Sequence, residues 1–129
     1  SNHDITCQTY IERKSAKDLA GTFSGGVERF RRELDRAVAE KAYVVVLTED
    51  TLKNCQDIAR QPVMHDKKRK ASPDFIFHNV RDIIQDYPNV QFLFVNGRVK
   101  AAQVIELIFE SRCTHLNHDL QYLYDIGRL

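Results

Sequence analysis

Apolar residues along this chain follow two rhythms that alternate, one with the period of a helix and one with the length of a strand. Val27, Phe30, Leu34, Ala37 and Val38 recur at helical spacing, with Arg29, Arg32, Glu33 and Arg36 on the other face, so residues 27–40 are expected to form an amphipathic helix. Tyr43-Val44-Val45-Val46-Leu47 is a continuous apolar run of strand length, as expected for a parallel strand covered on both faces. A second such run, Val90-Gln91-Phe92-Leu93-Phe94-Val95, is closed by the turn signal Asn96-Gly97. Upstream, Gln8-Thr9-Tyr10-Ile11-Glu12-Arg13-Lys14 reads as a short strand, because β-branched and aromatic residues dominate its first half.

The segments between these strands read as helices. Residues 15–19 begin a short helix, which Ser24-Gly25-Gly26 is expected to break, and 52–59 form another. Ser72-Pro73 starts a helix that runs to about residue 86 and buries Ile76, Val80, Ile83 and Ile84. In the helix expected over 98–110, Val99, Ala102, Ile105, Ile108 and Phe109 point inward. A C-terminal helical segment, 113–129, carries a last helical pattern at 116–126. Residues 61–72 hold Pro62 and the basic run Lys67-Lys68-Arg69-Lys70 and read as a flexible loop. Strands separated by helices predict a single α/β domain with a sheet flanked by helices.

Composition narrows the classes. Hydrophobic residues make up 43% and charged residues 29% of the 129, a globular balance that argues against disorder. A net charge of +1 provides no whole-molecule attraction to nucleic acid, so any such affinity must come from local patches. Cys7, Cys55 and Cys113 are far apart and in no CxxC pair, as expected of reduced thiols in a cytoplasmic protein. The five histidines are scattered, without a zinc-ligand set. No apolar run reaches the length of a membrane span, and no Walker loop, dinucleotide fingerprint or serine nucleophile elbow is present.

The candidate chemistry lies on the first strand. Residues two apart on a strand share a face, so Glu12 and Lys14 project together while Arg13 points away. A carboxylate beside an ammonium suits metal-assisted phosphodiester hydrolysis. The carboxylate holds a divalent cation, and the lysine orients the attacking water or neutralises charge growing on the phosphate. Asp4 is a second carboxylate placed to reach the same cation, and oxygen-only ligation favours Mg²⁺ or Mn²⁺. The plainer alternative for Glu12 and Lys14 is a surface ion pair.

Residues 11–23, Ile-Glu-Arg-Lys-Ser-Ala-Lys-Asp-Leu-Ala-Gly-Thr-Phe, resemble the ERKxxxD signature of XPF-type structure-specific endonucleases, within the PD-(D/E)xK superfamily. Asp4 falls where the family has the aspartate of a Gly-Asp pair, although His3 stands in place of the glycine. The order of the later segments resembles the small phage and bacterial stand-alone branch, a nuclease domain without a helicase. The resemblance implies a restriction-endonuclease-like fold with a central mixed β-sheet. Its first strand is expected upstream, and residues 1–3, which open Ser-Asn without a methionine, read as a processing remnant. It further implies Asp4 and Glu12 as metal ligands for Mg²⁺ or Mn²⁺, Lys14 as the catalytic lysine, and cleavage of branched or junction DNA in repair or recombination. Dimers are common in the family, some with an inactive partner.

Several residues keep two readings. Asp18 is a metal contact or a helix-start residue that holds the motif's backbone, and Arg13 bridges acidic groups from a neighbouring helix or is simple support. Glu49, at a strand's carboxyl end, is an outer support residue. Arg29 and Arg32 contact a DNA backbone together or belong to a solvated salt-bridge face. Lys67, Lys68, Arg69 and Lys70 are the stronger phosphate-contact candidate, against a plain linker. The C-terminal helices bury their apolar stripe in a homodimer, or the tail folds back on its own core. The rival to an active nuclease is a catalytically silent DNA-binding or dimerisation module of the same fold.

Overall fold

The computed structural model describes residues 8–60, 73–111 and 118–129. The elements are β1 (Gln8–Lys14), α1 (Ala16–Gly25), α2 (Val27–Ala39), β2 (Ala42–Thr48), α3 (Leu52–Arg60), α4 (Pro73–Asp86), β3 (Val90–Phe94), α5 (Arg98–Ser111) and α6 (Leu120–Asp125). Asp4, Cys7, Cys113 and the basic run Lys67, Lys68, Arg69 and Lys70 lie outside the described residues.

The three strands form one sheet in the order β1-β2-β3. Both pairings are parallel, with Glu12 opposite Val46, Lys14 opposite Thr48, and Val46 opposite Phe92. The expected mixed sheet is therefore corrected to a parallel one over the described strands. Each strand-to-strand connection carries helices, which return the chain to the same end of the sheet, as a parallel neighbour requires. Central β2 is covered on both faces, as its unbroken apolar run predicts. Val44 and Val46 face a core built with α1, α2, α3 and α4, while Val45 and Leu47 face one built with α5 and α6.

Two local signals shape the ground beside β1. Ser15 caps α1, its Oγ accepting from the Asp18 N–H at 3.1 Å. The helix then passes through Ser24 and Gly25 and stops only at Gly26, where a tight corner leads into α2. A Cβ at Gly26 would stand 3.1 Å from the Thr22 carbonyl oxygen, so a side chain there would require the corner to give by a few tenths of an ångström. Phe23 is buried beneath the corner, with ring centroids 5.5 Å from Phe30 and 5.7 Å from Phe92.

Packing corrects several inward assignments. Val38 and Ile84 are exposed, and α5 buries Ala101, Val104 and Ile108 while leaving Val99, Ala102 and Phe109 in solvent. Apolar residues run around most of the circumference of α5, so spacing alone does not select its buried face. Contact with Val45, Leu47 and Leu93 does. The tail folds back, as the second of its two readings has it: Leu120 is buried, and Tyr124 and Leu129 pack against the same core. Gln121 fastens it by mimicking a strand neighbour. Its Oε1 accepts from the Phe94 N–H at 2.7 Å, and its amide nitrogen donates to the Phe94 carbonyl at 3.0 Å. No helix among the described residues is long and apolar enough to cross a membrane.

Candidate active-site cleft

The register of β1 against β2 turns Glu12 and Lys14 toward α1 and α2, the same sheet face as Val46. Lys14 is then drawn inward. Its Nζ donates to Thr22 Oγ1 at 3.1 Å, lies 3.5 Å from Glu12 Oε2, and sits 5.6 Å from the centre of the Phe30 ring. The lysine side chain is 14% exposed and the glutamate side chain 41%, so the ammonium forms the floor and the carboxylate the lip. Hydroxyl, carboxylate and aromatic face all favour a positive charge at this point. An open cleft of about 350 Å³ lies over the pair, walled also by Gly21, Thr22, Gly26, Arg29, Phe30 and Glu33.

Arg13 works on the opposite face. Its Nε donates to Glu49 Oε1 at 2.7 Å and its Nη2 to the Arg98 carbonyl at 3.1 Å, while Arg98 Nε lies 3.5 Å from Glu49 Oε2. The bridging reading of Arg13 and the support reading of Glu49 thus meet in one clip, tying β1 to the end of β2 and the start of α5. The acidic group comes from the strand's carboxyl end rather than from a helix. Because the Glu49 N–H also donates to the Lys14 carbonyl at 2.9 Å, the clip steadies the backbone that carries Lys14.

The remaining assignments separate. Asp18 is exposed in the first turn of α1, where its charge suits the helix N-terminus, and it does not line the cleft. Arg29 borders the cleft, 4.0 Å from Glu33 Oε1, whereas the exposed Arg32 does not line it. Thr22, Phe30 and Glu33 carried no site signal in the chain. Phe30 reads as core and Glu33 as a solvated charge, and only the folding of α1 and α2 over β1 brings them to Lys14.

Glu12 and Glu33 offer carboxylate oxygens, the donors a hard divalent cation takes. Among the described residues no group of three Asp, Glu, His or Cys side chains is placed to hold a metal, so these residues supply only part of a coordination shell. Cys55 is no rival nucleophile. Burial, with a smaller contribution from the charge of Asp50, pushes its thiol up to about 12, which keeps it protonated at neutral pH.

The fold and cleft define an α/β protein with a half-buried lysine beside a carboxylate on one sheet face. Comparison of the chain with protein-family models, with curated proteins and with solved structures finds no match in any of the three.

Proposed function

We propose that this chain is a metal-dependent DNA endonuclease domain of the XPF type, with a restriction-endonuclease-like fold, that hydrolyses phosphodiester bonds in branched or junction DNA. The observation that carries the reading is the Glu12–Lys14 pair, on one strand face lining a cleft, with the lysine ammonium at its floor held by Thr22. A Mg²⁺ or Mn²⁺ ion held by Glu12 together with Asp4 would supply Lewis-acid activation of phosphate and water. Lys14 neutralises charge developing on the phosphate, and its preset position avoids reorganisation during the reaction. Arg29, at the rim, takes a flanking phosphate by exchanging its pairing with Glu33.

The deciding experiment is cleavage of flap, fork, single-stranded and duplex DNA with Mg²⁺ or Mn²⁺. Cleavage concentrated at junctions is the expected result. Binding without cleavage under every condition would instead favour the catalytically silent DNA-binding module.

Lys67, Lys68, Arg69 and Lys70 are proposed as the principal DNA-backbone contacts, since four adjacent cations displace condensed counterions. Replacing all four with alanine should weaken binding equally across sequences and reduce the salt slope of log K by roughly 2–3, as several lost phosphate contacts imply. An unchanged slope would assign the run to a solvated linker.

A homodimer through the C-terminal helices belongs to the same reading. Tail burial removes Leu120 from such an interface but leaves Val99 at 73% and Phe109 at 52% exposure on α5. Sedimentation at micromolar concentration should give twice the chain mass, and Phe109→Glu should give a folded monomer with the wild-type circular dichroism spectrum and an unfolding midpoint lowered by the lost association. A monomeric wild type would remove the dimer from the proposal.

A further inference from the structure

Gly21 stands inside α1, one residue before the hydroxyl that holds Lys14, and it forms part of the cleft wall. Nothing in the packing of the described residues calls for a glycine there. Among the described residues, a Cβ at this position meets no atom within 4 Å, in contrast to the tighter corner at Gly26. Glycine is the least favourable residue in a helix interior after proline, because it loses the most backbone freedom on folding. The chain therefore carries a helix-weakening residue that packing does not require, and places it where α1 borders the Glu12–Lys14 cleft. A bare helix wall serves the close approach of a ligand's own backbone.

We propose that Gly21 is a substrate-positioning residue that lets the sugar–phosphate backbone of a DNA strand lie directly against α1, so that a phosphate reaches Lys14 Nζ. This rests on the nuclease reading and deepens it: the substrate feature sensed at this wall is the bulk of a continuous backbone, with no base read. A side chain at residue 21 stands between that backbone and the ammonium, while leaving Lys14, Thr22 and Glu12 in place. Its effect falls on strand seating rather than on the folded state.

The test compares the wild-type chain with Gly21→Ala, Gly21→Gln and Gly25→Ala. Among the described residues Gly25 also has nothing within 4 Å of an added Cβ, but it does not line the cleft. Thermal unfolding is measured alongside Mn²⁺-dependent kcat and KM on a flap DNA. Both Gly21 variants should raise Tm by about 2–4 °C through better helix propensity. Gly21→Gln should lower kcat/KM by about 100-fold, the scale of a misplaced substrate, with Gly21→Ala intermediate and Gly25→Ala at the wild-type value. Wild-type kinetics in Gly21→Gln would overturn the inference while leaving the nuclease reading intact. So would a fall in Tm in both Gly21 variants, which would show that folding needs the glycine, or an equal kinetic loss in Gly25→Ala, which would trace the effect to stiffening of α1. A wild-type chain that neither binds nor cleaves DNA would overturn the nuclease reading and this inference together.

Discussion

On the proposed endonuclease reading, Glu12→Gln and Lys14→Ala should each lower cleavage by about 10²–10³-fold, the scale of losing one preorganised electrostatic group at a reacting centre. Neither change should unfold the protein. Glu12 lies at the cleft lip and its replacement is nearly isosteric, so the substitution removes charge and little packing. Lys14→Ala loses the contact over Phe30 and leaves Thr22 Oγ1 without its lysine, a loss of about 1 kcal/mol. Thermal melts within a few degrees of wild type, together with an unaltered circular dichroism spectrum, would separate lost chemistry from lost structure. Wild-type cleavage by either variant would show that the chemistry occurs elsewhere, and Glu12 and Lys14 would return to a structural ion pair.

Phe23→Ala should produce the largest stability change, a destabilisation of about 3–5 kcal/mol. Phe23 is fully buried and touches the rings of both Phe30 and Phe92, so its removal opens a cavity between the α1–α2 corner and the sheet. On that scale Tm should fall by roughly 10–20 °C. Urea unfolding should show a lower midpoint with an unchanged slope, since the surface exposed on unfolding barely alters. The site should suffer too, because Phe30 lies under the Lys14 ammonium and loses its backing. A loss below about 1 kcal/mol, the size of an ordinary surface change, would contradict this packing of Phe23.

Much of the framework was legible because its signals are local. The run around Val45 predicts a strand buried on both faces, and β2 is that strand. The two-residue period of a strand puts Glu12 and Lys14 on one face and Arg13 on the other, as observed. The apolar spacing of α2 names Phe30, Leu34 and Ala37 correctly, since its other side is densely charged. On α5 the same logic fails. Val99, Ala102, Leu107 and Phe109 are as apolar as the buried residues, so no contrast marks the inner face.

By itself, then, the amino-acid order determined where the strands and helices lie, and which side chains of β1 travel together. These follow from backbone geometry and nearest-neighbour spacing. Only the tertiary structure decided the register of β1 and β3 against β2, that Thr22 and Phe30 close on Lys14, and that Glu49 and Arg98 gather at Arg13. It also decided that the Gln121 amide completes the edge of β3 instead of leaving that segment to a partner. Each of these contacts joins different elements, so it depends on strand order and on the sheet face to which each helix returns. Those choices are settled by burying apolar surface on both sides of β2 at once, a condition on the whole chain that no local window contains.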